Sequence, residues 1–291
     1  MARVPAADPA TADLEIAIAS HGDERRLEPC SASLEEVPVM SLPFHPLDER
    51  ALIQRFLEGA RTGQGGWIVT PNLDILRQYT ANDEARELIL NATHRMADGF
   101  PIVWAARLAG TPLPDRVPGS DLVLTLPEAA ADAGLSVFLL GGNPGVAATA
   151  AARLEARYPR LGDVGHYSPP FGFEHDPDEL ARIKQTVRAA RPDLILVGLG
   201  FPKQERIIRM LRRELPGAWF AGVGISLSFL SGDQPRAPVA VQRFGLEWLH
   251  RLTHEPRRLF RRYVVQGLPF SARLFAWALM QRMRRTTPRE G

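Results

Sequence analysis

Asp98 is a candidate proton acceptor. It precedes Gly99 at the end of a run in which Leu88, Ile89, Ala92 and Met96 recur at helical spacing. A carboxylate at a helix C-terminus meets the negative end of the dipole, which disfavours ionisation and makes it a better proton acceptor than an exposed Asp. An ordinary Asp-Gly turn is the alternative reading. Thr70 and Asn72 flank Pro71 directly after the apolar run Trp67-Ile68-Val69, so they stand at the carboxyl end of a strand. Arg116 lies in a polar, proline-broken stretch over 110–121 that is too long to be only a connector. Its guanidinium would meet a phosphate there, or an acidic neighbour.

A second group of residues suits anions. Leu194 to Val197 is continuously apolar, as in a strand buried on both faces, and Gly198 and Gly200 then open the backbone ahead of Pro202. Ile207, Ile208 and Leu211 predict a helix over 203–214, so Lys203, Gln204 and Glu205 fall in its first turn, where free N–H groups favour negative charge. Gly141, Gly142 and Asn143 form a similar turn between a strand and the alanine-rich helix over 146–157. The spacing is neither G-x-G-x-x-G nor a P-loop, and small residues there would equally serve close helix and strand packing. Gly222 and Gly224 end a further strand, with Ser228 shortly after.

The elements that must position these groups alternate strand and helix from about 67 to 230, which predicts an α/β fold with one Rossmann-like parallel sheet flanked by helices. Residues 1–37, rich in Ala, Pro, Asp and Glu without a sustained period, are expected to form a mobile N-terminal tail, and 38–235 the α/β catalytic domain. Residues 236–291 are expected to be a C-terminal helical appendage, basic and aromatic, in which Arg251, Arg257, Arg258, Arg261 and Arg262 accompany Phe244, Trp248 and Trp277. Such a pattern reads as a membrane-surface segment, or as a helical subdomain packed on the core.

Composition narrows the classes. With 45% hydrophobic and 23% charged residues the chain has an ordinary globular composition, and a net charge of +2 gives no reason to expect nucleic acid. Cys30 is the only cysteine, which excludes an intramolecular disulfide and a cysteine-based zinc site. His250 and His254 stand four residues apart but without the glutamate of H-E-x-x-H, and His94, His166 and His175 are scattered, so no metal is expected. The first forty residues lack the apolar core of a secretory signal, and the cytosolic side is expected.

Taken in order, Thr70-Pro71-Asn72, Asp98-Gly99, Arg116-Val117 with Gly119-Ser120-Asp121, Pro169-Pro170-Phe171-Gly172, Gly200 to Glu205, Gly222-Val223-Gly224, Arg236-Ala237-Pro238, Gly245 to Trp248 and Glu255 to Arg258 with Arg262-Tyr263 resemble the WecG/TagA/CpsF family of bacterial glycosyltransferases. The resemblance spans about 39–263. It implies a metal-independent, inverting transfer of a hexose or N-acetylhexosamine from a UDP-sugar to a polyprenyl-diphosphate-linked sugar, in exopolysaccharide or cell-surface polymer synthesis, with no cofactor. By the same resemblance Asp98 is the base, Thr70 and Asn72 lie beside it, Gln204 lines the nucleotide pocket and Arg116 supports activity. The C-terminal arginines would complete the site at an anionic membrane, on the cytoplasmic face of the inner membrane. Family members often carry Asp-Phe where this chain has Ser228-Phe229, so a hydroxyl stands in place of a charge. That departure keeps a non-catalytic, membrane-associated nucleotide-sugar-binding subunit as the alternative reading, and a dehydrogenase is a more distant one. Oligomeric state stays open, since a membrane-proximal helix pair would also serve as a subunit interface.

Overall fold

A computed structural model of the chain describes residues 35–238, 241, 247–254 and 256–286. Residues 1–34 of the expected tail lie outside the described residues. The first described elements, β1 (Val37–Val39) and β2 (Leu42–Phe44), form an antiparallel hairpin, and Glu36 ion-pairs with Arg95 at 2.5 Å.

The chain continues through α1 (Glu49–Thr62), β3 (Gly66–Val69), α2 (Leu73–Ala81), α3 (Asp83–Leu90), β4 (His94–Arg95), α4 (Phe100–Leu108) and α5 (Gly119–Ala133). Then come β5 (Val137–Gly141), α6 (Val146–Arg157), β6 (Gly165–Tyr167), α7 (Pro177–Ala190), β7 (Leu194–Gly198), α8 (Lys203–Glu214), β8 (Trp219–Gly222) and α9 (Ser226–Ser231). Six of the strands make one parallel sheet in the order β4-β3-β8-β7-β5-β6. Buried apolar side chains cover both faces, with Val69, Ile195, Val197 and Phe220 in one core and Ile68, Leu139, Leu196 and Ala221 in the other. Near-continuous apolar runs such as Leu194 to Val197 follow from this two-sided burial.

One expectation is overturned. The apolar positions Leu88, Ile89, Ala92 and Met96 suggest a single helix running to Asp98, but α3 stops at Leu90, and His94–Arg95 is a strand parallel to β3. Tertiary contacts decide the local form. The Thr93 hydroxyl donates to the Trp67 carbonyl (3.1 Å) and accepts from the Trp67 N–H (2.7 Å), and the buried Arg95 guanidinium donates to the carbonyls of Pro43 (2.7 Å) and Ala92 (2.6 Å). Met96 is buried as the continuation of a strand rather than as a helical face. Asp98 therefore stands at a strand's carboxyl end and just before α4, so the helix C-terminus argument for its basicity does not apply.

Beyond the sheet, α10 (Glu247–His254), α11 (Pro256–Phe260), a π-helical segment over Arg261–Gly267 and α12 (Leu268–Thr286) follow. Phe270, Leu274 and Ala278 bury one side of α12 in the same core as α4. The other side leaves Leu279, Met280 and Met283 exposed beside arginines. No described helix is long and apolar enough to cross a membrane.

Candidate active site

The carboxyl ends of β3, β4, β7 and β8 face the C-terminal segment across a cavity of about 450 Å³. Backbone bonds set the sheet side. Met96 N–H donates to the Val69 carbonyl (2.9 Å), Asp98 N–H to the Pro71 carbonyl (3.0 Å) and Val117 N–H to the Ala97 carbonyl (2.8 Å), so the three segments carrying Thr70, Asp98 and Arg116 are tied together. Gly99 turns the chain after Asp98 with φ 136°, a region that other residues avoid.

Thr70, Asn72, Asp98 and Arg116 all line this cavity. The Asn72 side-chain oxygen caps α2 by accepting from the N–H groups of Asp74 and Ile75, both at 3.1 Å. Its amide NH2 is thereby the polar group left to meet a ligand. Arg116 approaches Asp121 only at 4.0 Å, because Asp121 is engaged by Arg236, and its guanidinium lies 5.2 Å from the Phe100 ring centroid.

Gln204 works as a clip. Its Oε1 accepts from the Gly200 N–H (3.2 Å) and the Gly224 N–H (3.0 Å), joining the loops that follow β7 and β8, and its Nε2 donates to Glu205 Oε1 (2.9 Å). Gly222 makes room for this arrangement, since a Cβ there would lie 2.6 Å from Gln204 Nε2. Glu205 is fully buried in the wall behind, and its Oε2 has no hydrogen-bond partner. Burial pushes its carboxyl up to about 8, opposed by the Gln204 amide, so it is predominantly neutral at pH 7.

The C-terminal segment closes the cavity with Glu247, Trp248, Arg262, Tyr263 and Leu268. Arg262 Nε lies 3.0 Å from Asp74 Oδ2. Asp74 is shared, because Arg77 donates to its Oδ1 (2.8 and 3.1 Å) and Gln78 to its Oδ2 (3.1 Å). Asp74, Phe100 and Tyr263 are not among the site residues expected from the sequence. The first-turn position of Asp74 is the only local signal for it, and nothing local points to Phe100.

Other candidates lie apart from this cavity. Gly141, Gly142 and Asn143 end β5, beyond β7. There Gly142 N–H donates to the Gly198 carbonyl (3.0 Å), and a Cβ on Gly141 would sit 2.6 Å from that same oxygen, so the small residues serve close packing of two strand ends. Lys203 turns to Glu174 and to the Phe171 ring, 5.7 Å away. Ser228 is buried in α9 and does not line the cavity, although Phe229 does. Arg257 and Arg261 are exposed on the C-terminal segment, while the side chains of Arg251 and Arg258 lie outside the described ones.

A parallel sheet whose strand ends present a carboxylate, amides and guanidinium groups to one cavity defines an α/β enzyme with its chemistry at the carboxyl edge. More particularly, the chain belongs to the glycosyl transferase WecG/TagA/CpsF family, whose model matches residues 37–285. It is 33% identical, over 67% of its length and 74% of the relative's, to the N-acetylglucosaminyldiphosphoundecaprenol N-acetyl-beta-D-mannosaminyltransferase of Bacillus spizizenii. The protein of the same name from Staphylococcus aureus is 32% identical over the same shares of the two chains. The expected family is thus shown, and with it a glycosyltransferase.

Proposed function

We propose that the protein transfers an N-acetylhexosamine, of the N-acetylmannosamine type, from a UDP-sugar to a polyprenyl-diphosphate-linked N-acetylglucosamine, with inversion and without a metal. One observation carries this reading: Asp98, Thr70 and Asn72 share a single cavity with Arg116 and Arg262. The relatives' names supply the sugars and the lipid-linked acceptor.

Inversion requires a base on the acceptor hydroxyl and stabilisation of the departing diphosphate on the opposite side of the sugar. Asp98 takes the hydroxyl proton as that oxygen bonds to C1 of the donor sugar, and the C1–O bond to UDP breaks. Thr70 and the Asn72 amide hold sugar hydroxyls beside Asp98. The negative charge that develops on UDP falls to Arg116 and Arg262, which makes a divalent cation unnecessary. The apolar side of α12 that carries Leu279, Met280 and Met283 next to Arg282, Arg284 and Arg285 suits the anionic cytoplasmic surface of a membrane, where a lipid-linked acceptor would be met.

A panel of UDP-sugars, incubated in EDTA with the protein and a short polyprenyl-diphosphate N-acetylglucosamine, tests the reading by mass spectrometry. UDP release with one N-acetylated donor and a lipid product heavier by one sugar is expected. UDP binding without transfer to any acceptor would select a nucleotide-sugar-binding subunit instead.

A further inference from the structure

Polar and apolar groups share the cavity. Thr70, Asn72, Asp98 and Arg116 lie on one wall, whereas Phe100, Trp248 and Leu268 bring apolar surface to the same cavity. The Phe100 ring touches the Arg116 guanidinium and also stacks on Trp104, with centroids 5.5 Å apart and planes 28° from parallel. Trp104 itself is 49% exposed, although its neighbours Ile102, Val103, Ala105 and Ala106 on α4 are buried. Its indole is therefore no part of the core. An aromatic side chain of this size left half open forgoes much of the burial that normally stabilises a Trp.

The path away from the cavity has a direction. Leu268, 56% exposed, lines the cavity at the start of α12, and α12 packs along α4. At the far ends, Arg285 Nη1 donates to the carbonyl of Gly110, two residues past α4, at 3.3 Å. Both helices thus begin at the cavity and lead away from it together. A ligand with its phosphate at Arg116 would meet the Phe100 ring, which lines the cavity and stacks on Trp104 just outside that lining.

We propose that the isoprenoid chain of the acceptor leaves the cavity over the stacked Phe100–Trp104 pair, so that Trp104 is a lipid-binding residue of the enzyme. This rests on the acceptor class proposed above. It goes further in assigning the lipid, rather than the sugar or the nucleotide, to this side of the mouth. A sugar ring stacked on the indole, or an indole that only dips into the membrane surface, would use Trp104 differently, and the test separates them.

Calorimetry with two probes, farnesyl diphosphate below its micellar concentration and inorganic diphosphate, compares wild type with Trp104→Ala and Trp104→Leu. Wild type is expected to bind farnesyl diphosphate at least tenfold more tightly than diphosphate. Trp104→Ala should remove most of that preference and Trp104→Leu about half, with diphosphate and UDP binding within twofold of wild type, as loss of apolar contact area requires. No preference in wild type, an unchanged preference in Trp104→Ala, or equal losses for both probes would overturn the proposal. Loss of binding to phosphatidylglycerol vesicles with an unchanged farnesyl preference would assign the indole to the membrane surface and overturn it as well. Should the farnesyl preference behave as expected while no sugar is transferred to any lipid-linked acceptor, the functional reading would fail and the lipid path would stand.

Discussion

The two walls of the cavity are held in different ways. The sheet wall is fixed by main-chain bonds between strand ends and by one amide, Gln204, that joins the Gly200 and Gly224 loops. The C-terminal wall meets it through a side-chain contact, the Arg262–Asp74 ion pair, while within that wall Trp248 stands edge-on to Tyr263 at 6.1 Å. Proton transfer needs a base held to a fraction of an ångström, which main-chain bonding provides. Guanidinium groups that follow a leaving diphosphate need instead to exchange partners. Asp74, which also accepts from Arg77 and Gln78, is an anion that Arg262 can leave without stranding it.

Breaking the sheet wall at Asp98, its proposed base, should give the largest effect. Asp98→Asn is expected to lower turnover by about 10³-fold while UDP binding stays within twofold, since removal of a general base typically costs 10²- to 10⁴-fold. Steady-state rates beside calorimetric UDP titration check this, and near-normal turnover in the folded variant would remove Asp98 from the role of base. On the other wall, Arg262→Ala should weaken UDP binding and raise the donor KM by about tenfold, the scale of one charge-assisted contact, with a smaller change in kcat. Asp74→Ala should spare donor binding, because the guanidinium it holds is then free to reach phosphate. Equal losses in both variants would show that the ion pair matters for structure rather than for exchange.

A smaller effect separates the walls by pH. Glu205 lies behind the sheet wall with its carboxyl pushed up to about 8 from the usual 4.5, so the unfolded chain gives up this proton at lower pH than the native protein. Between these values the native state binds more protons, and its stability falls as pH rises from about 4.5 to about 8. Glu205→Gln keeps an acceptor for the Gln204 amide but has no proton to lose. Urea unfolding at pH 5 and pH 8 should show wild type losing a few kcal/mol more than the variant, since each tenfold change in proton affinity is worth about 1.4 kcal/mol. The same loss in both proteins would mean that Glu205 is ionised in the native state.

Much of this architecture is legible in the residues alone. The helix after Gly198 and Gly200 spans Lys203–Glu214 as its apolar spacing requires, and the alternation of strand and helix patterns corresponds to the parallel sheet. Residues 94–95 escape such a reading because a two-residue strand has no periodicity of its own; Thr93 and Arg95 hold it through partners distant in sequence. The turns at Gly141 and Gly198 look alike locally. What separates them is strand order: β8 inserts between β3 and β7, bringing Gly200 and Gly224 to the same cavity as Thr70, while β5 lies one strand further out. Asp98 is legible by motif but not by the dipole of a preceding helix, since its place comes from β4 and the turn at Gly99. Arg262 reaches the cavity from a π-helical segment, a distortion that leaves no mark in residue spacing.

Everything proposed for the two walls depends on where the nucleotide binds, and a crystal structure of the protein with UDP would show it most directly. The expected complex has UDP in the cavity between the Gly200 and Gly224 loops and the C-terminal segment, its diphosphate within hydrogen-bonding distance of Arg116 or Arg262, and Asp98 facing the vacant sugar position. UDP seated instead on the Gly141-Gly142-Asn143 turn, with its diphosphate turned away from Asp98, would contradict it.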